Sequence, residues 1–199
     1  MAIGKAPDVT TWVALLRGVN VGRNQRVAMA ELRALLGSLG HDDVRTYAQS
    51  GNAVFSTGDG GTGQRRADPG PQLERDIGAA IHSELGLEVG VVVRRAADVS
   101  AIVEANPFAV EGADPKELHV AFTSTAPPPA TIDALDPADV EPDRVTLGDR
   151  VLSSPPNGVT GSRLPDWTKL LGSTVTPRNW NTVLRLRALA ESGGGRPGT

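Results

Sequence analysis

The chain has 199 residues, 39% of them hydrophobic, and a formal net charge of −3, so it can bury a core of ordinary size and exerts no general attraction on polyanions. It contains no cysteine, which excludes disulfides, thiolate metal sites and a cysteine nucleophile. The start of the chain lacks the apolar run of a signal peptide, and no segment approaches the roughly 18 to 20 apolar residues that cross a bilayer. We therefore predict a cytoplasmic protein that makes no membrane contact.

The apolar patterns of the first half predict the element order βαββαβ. Residues 12–16 are a continuous apolar run, which is typical of a strand buried on both faces. The segments that follow are a helix at 29–39, strands at 44–47 and 53–55, a helix at 73–85 and a β-branched strand at 89–93. This order is that of a ferredoxin-like unit, in which two helices cover one face of a four-stranded antiparallel sheet.

The second half repeats this order in part. The predicted segments are a helix near 97–105, a strand at 118–122, a helix near 130–135, strands at 145–147 and 151–152 joined by a turn at Gly148 and Asp149, a helix around 163–171 and a final helix from 177 to about 191. No fourth strand is evident, so we expect a second ferredoxin-like unit that is incomplete or rearranged. The fold prediction is α+β with internal duplication, subdomains at 8–95 and 96–191, and flexible segments at 1–7, 58–71 and 192–199.

The predicted start of the final helix carries a candidate site. Thr176 has the hydroxyl of a helix cap, and Pro177 suits a first helical position because it has no amide to satisfy. Arg178 would then face the positive end of the helix dipole, which disfavours a cation. A cation at this unfavourable position indicates a function, here a site for phosphate or carboxylate. The alternative is a surface arginine that points into water, which is common.

Two loops of the first half add polar groups. The loop at 17–26 joins the first strand to the first helix, a connection at which other folds bind phosphates, but it has neither P-loop nor dinucleotide-fingerprint spacing. In the hairpin turn, Gly51 is explained by a positive φ, and Gln49, Ser50 and Asn52 can form an amide-rich rim beside that loop.

Other classes of site have weaker support. The three histidines are far apart in sequence and lack metal-ligand spacing, so we predict no metal site. Residues 150–199 carry seven bases against two acids, which leaves nucleic-acid binding through the C-terminal quarter open, although such a run is more often a solvated face. RNA binding on the sheet face is disfavoured, because the central strands offer mainly Trp12 and Phe55 and the total charge is acidic.

Several strings of the sequence resemble a bacterial family of uncharacterised proteins, domain of unknown function 1697 (DUF1697). The strings are WVALLRGVNVG at 12–22, MAEL at 29–32, VRTYAQSGNAVF at 44–55, NPF at 106–108 and TPRNWNTV at 176–183. The resemblance implies a compact α+β fold with ferredoxin-like duplication, and it brings no established catalytic or ligand residues. Its polar motif positions are Arg17, Asn20, Gln49, Ser50, Asn52, Arg178, Asn179 and Asn181.

We therefore predict a binding protein whose motif residues form one polar site between the two halves, suited to an anionic small molecule such as a nucleotide. One alternative is an enzyme acting on a phosphate-bearing substrate, which would need a buried carboxylate with a raised pKa beside the arginines. Nucleic-acid binding is the other alternative. The sequence identifies no cofactor, and it is compatible with a monomer or a weak homodimer.

Overall fold

The computed structural model describes residues 9–21, 25–58, 68–110, 112, 114–134, 136–141, 143–147, 151–154 and 165–193. The strands are β1 (Val9–Leu16), β2 (Asp42–Tyr47), β3 (Asn52–Gly58), β4 (Val91–Arg95), β5 (His119–Thr123), β6 (Arg144–Leu147), β7 (Val151–Ser154) and β8 (Val175–Asn179). The helices are α1 (Met29–Ser38), α2 (Gly70–Leu85), α3 (Ala96–Glu104), α4 (Pro107–Val110), α5 (Pro129–Asp133), α6 (Pro137–Val140), α7 (Trp167–Leu171) and α8 (Trp180–Ser192). The α+β class predicted from the sequence is confirmed.

The first sheet has the strand order β2-β3-β1-β4, and all its neighbouring strands are antiparallel. Its central strand β1 is buried on both faces from Trp12 to Leu16, as its apolar run predicts. On one face, side chains such as Trp12 and Phe55 pack against Leu32 of α1 and Ile77 of α2. Full burial of side chains of this size contributes about 1.5–3 kcal/mol each, so this face is a major source of stability.

The opposite face of the first sheet joins the two halves of the chain. Val13 of β1 and Val92 of β4 belong to a second core cluster with Ile102 of α3, Phe122 of β5 and Val183 of α8. Because successive side chains of a strand point to opposite faces, β1 supplies both clusters. The halves therefore share a core along this face.

The second sheet has the order β6-β7-β5-β8 and is also antiparallel. When strands are numbered within each half, this order is the same as that of the first sheet. The expectation that the second half has no fourth strand is wrong, because β8 is that strand and pairs with β5 over its whole length.

The expected start of the last helix is wrong for the same reason. Thr176 and Pro177 lie in β8, and α8 begins at Trp180, where the Asn179 side chain accepts a hydrogen bond from the Thr182 amide at 2.9 Å. β8 is an edge strand, and an edge strand tolerates a proline that cannot donate to the ladder. A Thr-Pro pair therefore suits this edge as well as it suits a helix start.

The remaining boundaries differ from the predicted ones by small shifts at element ends. The predicted turn at Gly148 and Asp149, and most of the segments predicted to be flexible, lie outside the described residues. Of 58–71, the structure describes residue 58, which ends β3, and 68–71, where α2 begins at Gly70. None of the helices in the described part of the chain is long and apolar enough to span a membrane.

Candidate functional site

The end of β1, the β2–β3 turn and the junction of β8 with α8 meet around one cleft of about 450 Å³. Four of the predicted site residues line it, namely Arg17, Ser50, Arg178 and Asn179. The other lining residues are Leu16, Gly18, Val19, Val21, Thr176, Pro177 and Thr182. Segments more than 120 positions apart in sequence thus contribute to the same wall.

Arg178 is the most heavily bonded side chain at this cleft. Its Nε donates to Asn52 Oδ1 at 2.5 Å, and its Nη2 donates to the backbone oxygens of Leu16 at 2.7 Å and Ser50 at 3.0 Å. Its Nη1 donates to Thr176 Oγ1 at 2.7 Å and to the oxygen of Pro177 at 2.9 Å. A guanidinium has five N–H groups, so these contacts use all of them.

The position and environment of Arg178 differ from the sequence prediction. It lies in β8, one residue before the cap of α8, and it is 8% exposed, not a surface residue of the helix's first turn. Burial lowers the pKa of Arg178 to about 10, so the group stays charged at neutral pH. Its five acceptors are all neutral oxygens, and no carboxylate of the described residues forms an ion pair with it.

Asn52 and Asn20 hold the surrounding chain in place. Asn52 is fully buried, and besides accepting from Arg178 it donates through Nδ2 to the oxygen of Tyr47 at 3.0 Å and to Ser50 Oγ at 2.9 Å. Asn20 donates to the oxygens of Val27 at 2.8 Å and Gln49 at 2.6 Å, and its Oδ1 accepts from the Val27 amide. Both amides are used by the protein, and both lie beside the cleft without lining it.

The β2–β3 turn brings Ser50 to the cleft through a close contact at Gly51. Gly51 has φ +68°, and a Cβ there would lie 2.5 Å from Val19 Cγ2 and 2.6 Å from Leu16 Cβ. The positive φ expected from the sequence is thus accompanied by a packing requirement that the sequence does not reveal. Ser50 itself is exposed, as is its neighbour Gln49, which does not line the cleft.

Arg17 contrasts with Arg178 on the same cleft. Its backbone amide donates to Gly90 at 2.8 Å, but its side chain is exposed and has no hydrogen bond or ion pair with any described residue. Arg17 is therefore the guanidinium whose donors are available to a ligand. Asn181 is exposed on α8 but does not line the cleft, and the Asn179 side chain is used as the α8 cap.

Sequence reasoning did not identify several lining residues. Val19 and Val21 are in the string at 12–22 but are apolar, and Thr182 lies one turn into a helix whose start was misplaced. Val19 and Val21 flank the motif position Asn20, and this position in the sequence could have identified them as lining residues. Thr182 stands in the string at 176–183, but that string does not show that its side chain reaches the cleft.

Four of the seven basic residues of the C-terminal quarter are described, and two of them, Arg178 and Arg187, are bonded within the protein. Arg150, Arg163 and Arg196 lie outside the described residues. Arg178 is buried, and Arg187 pairs with Glu104 at 3.2 Å and Glu191 at 2.8 Å. Lys169 lies 3.9 Å from Asp166, whereas Arg185 is exposed. The described residues of this quarter therefore do not form a continuous basic surface.

The histidines occupy separate environments. His41 stacks on Phe55 with ring centroids 4.5 Å apart, and burial lowers its pKa. His82 lies 3.0 Å from Glu88, and His119 Nδ1 lies 3.0 Å from the oxygen of Glu117. In the part of the chain that the structure describes, no three His, Cys, Asp or Glu residues are grouped as metal ligands would be.

Comparison with known proteins supports the sequence resemblance. A family model described as "Protein of unknown function (DUF1697)" matches residues 9–152, which extends from β1 into β7 and ends before β8. No curated protein matches this sequence. Among solved structures, the conserved bacterial protein SP0830 from Streptococcus pneumoniae is similar, with 19% identity over 92% of this chain and 99% of that chain and a TM-score of 0.65. At this identity the similarity concerns the fold alone.

Proposed function

Since this chain belongs to the family described as Protein of unknown function (DUF1697), we propose its function from the geometry of the cleft. The cleft binds an anionic small molecule such as a nucleotide. The observation that carries this proposal is the charge of Arg178, which is 8% exposed at the wall of an open cleft and has only neutral acceptors among the described residues.

A buried cation without a countercharge is unfavourable, because desolvation is only partly offset by neutral dipoles. An anion in the cleft would supply the missing charge, in surroundings where screening by water is weaker than in bulk solvent. Because the N–H groups of Arg178 are already used, it would attract the anion by charge alone. Arg17, whose side chain at the same cleft has no partner among the described residues, would donate the direct hydrogen bonds.

The rest of the cleft suits a ligand that also has an apolar part. Val21, which is 72% exposed, and the exposed Pro177 contribute aliphatic surface, whereas Leu16 and Val19 lie buried behind the wall of the cleft. The volume of about 450 Å³ falls within the range of roughly 300–1,000 Å³ found for small-molecule sites. Charge and shape together support a small organic anion.

The two alternative functions have less support. Catalysis needs a base, and none of the described lining residues is Asp, Glu or His. Burial raises the pKa of Glu74, but that side chain contacts Val93 and Arg94 and does not line the cleft. Nucleic-acid binding has no supporting observation, because the described basic residues of the C-terminal quarter are mostly buried or paired.

Isothermal titration calorimetry with a panel of nucleotides and inorganic phosphate tests the proposal, using Arg17→Ala and Arg185→Ala as matched variants. Both remove one exposed arginine, but only Arg17 lines the cleft. We expect Arg17→Ala to weaken binding at least tenfold, since charge-assisted hydrogen bonds contribute about 1.5–3 kcal/mol. Equal weakening by the two variants, or no saturable binding by any panel member, would contradict the proposal.

We also propose that the halves, 8–95 and 96–191, are two copies of one ferredoxin-like unit. The support is the strand order, since β2-β3-β1-β4 and β6-β7-β5-β8 are the same when each half is numbered separately. We further propose that the chain is cytoplasmic and acts as a monomer or weak homodimer. Analytical ultracentrifugation of the purified chain would test the assembly state, and a stable higher oligomer would contradict it.

A further inference from the structure

The charges at the cleft have one sign. Among the described lining residues the only charged side chains are Arg17 and Arg178, which gives a formal charge of +2. A monoanion would leave one of these charges uncompensated. A phosphate monoester carries about −1.5 to −2 at pH 7 and would balance both.

The hydrogen-bond donors also favour a group with several oxygens. The Arg17 guanidinium is free of protein partners among the described residues and can donate two parallel bonds to two oxygens of one anion. Ser50 Oγ already accepts from Asn52 Nδ2 at 2.9 Å, so its hydroxyl proton remains available to a ligand. Arg178 contributes charge without a donor, because its five N–H groups are bound to the protein.

We infer that the cleft selects the dianion of a phosphate monoester attached to a small apolar body. This inference rests on the proposed anion binding and goes further by naming the class of ligand. Arg17 and Ser50 hold the phosphate, Arg178 supplies the second positive charge, and the exposed Val21 and Pro177 contact the body.

Calorimetry with phenyl phosphate, methyl phenyl phosphate, phenyl sulfate and inorganic phosphate separates charge from shape. At pH 8 we expect phenyl phosphate to bind at least tenfold more tightly than either monoanionic ester, and more tightly than inorganic phosphate, which lacks the apolar body. At pH 5 the advantage over phenyl sulfate should fall below about threefold, because the second ionisation of a phosphate monoester lies near pH 6. Arg17 and Arg178 are the charged groups among the described lining residues, and the pKa of Arg178, which burial lowers to about 10, stays above this range.

Two substitutions at Arg178 test the role of its charge. Arg178→Lys and Arg178→Gln both lose the guanidinium contacts, but only the glutamine variant loses the charge. We expect Arg178→Gln to lower the preference for phenyl phosphate over phenyl sulfate at pH 8 about tenfold, whereas Arg178→Lys keeps most of it. If neither variant folds, Arg17→Ala removes the other positive charge of the cleft at an exposed position. Its preference for phenyl phosphate over phenyl sulfate is then compared with that of the control Arg185→Ala.

The outcomes distinguish this inference from the proposed function. Equal binding of phenyl phosphate and phenyl sulfate at pH 8 overturns the selectivity for a dianion and leaves anion binding intact. An unchanged preference in both Arg178→Gln and Arg17→Ala also overturns it. Binding of nucleotides but of none of these four anions overturns the inference and leaves the proposed function intact. Binding of neither the four anions nor any member of the nucleotide panel overturns both.

Discussion

Two largely buried arginines connect the halves of the molecule, one extending from each half. Arg94 extends from β4 and donates through Nη2 to the backbone oxygen of Thr123 in β5. Arg178 extends from β8 and donates to Leu16 and Ser50 in the first half. Both side chains act as links between segments that are distant in sequence.

The two links differ in their charge balance. Arg94 has a carboxylate, since its Nη1 lies 3.5 Å from Glu74 Oε1 and both side chains are largely buried. Burial lowers the pKa of Arg94 while Glu74 opposes that shift. Arg178 has no such partner among the described residues and lies at an open cleft. Arg94 therefore has its own countercharge, whereas under the proposed function a bound anion would supply the countercharge of Arg178.

The largest effect should come from removing Arg178. Arg178→Met removes a donor from the buried oxygens of Leu16 and Asn52 and from the partly buried oxygen of Ser50, so we expect a loss of about 3 kcal/mol in the free energy of unfolding. Urea denaturation measures it. The exposed Arg185→Ala should change stability by less than about 0.5 kcal/mol. A loss of that small size in Arg178→Met would show that the guanidinium does not hold the two halves together.

Removing Arg94 should have a smaller effect of a different kind. Arg94→Met loses the bonds to Val93 and Thr123 and leaves the Glu74 carboxylate without its cation, so we expect a loss of about 2 kcal/mol. Because this arginine does not line the cleft, phenyl phosphate should raise the urea midpoint of Arg94→Met as much as that of the wild type. If phenyl phosphate raised the urea midpoint of Arg178→Met but not that of Arg94→Met, then Arg94, and not Arg178, would be the arginine that supports ligand binding.

The sequence predicts the first half well, because its strands and helices follow clear periodicities and its hairpin turn contains Gly51. It does not predict β8. The string around Pro177 and Arg178 fits a helix start as well as an edge strand, and the choice depends on pairing with β5, more than 50 positions earlier. The sequence identifies the eight polar motif positions, but it does not show which of these side chains face the cleft and which bond to the protein. Asn20 and Asn52 bond to the protein, and an amide that does so has the same sequence signature as one that binds a ligand.

The smallest effect concerns the pH dependence of the Arg94 link. Burial raises the pKa of Glu74 above its ordinary value of 4.5, although the Val93 amide at 2.9 Å and Arg94 act against this shift. Between pH 4.5 and the raised value, the folded state binds more protons than the unfolded state, so this group makes stability fall as pH rises and then level off. Glu74→Gln removes this contribution while it keeps an oxygen for the Val93 amide.

We therefore expect the difference in unfolding free energy between Glu74→Gln and the wild type to shift in favour of the variant as pH rises through that window. Urea titrations from pH 4 to pH 7.5 measure it, and Glu84→Gln, at an exposed position of the same helix, is the control for losing a carboxylate from α2. A difference that shifts in favour of the wild type would mean that the attraction of Arg94 outweighs the burial of Glu74. In that case the Arg94 link would be stabilised by its ion pair, and the contrast with Arg178 would be larger than the structure indicates.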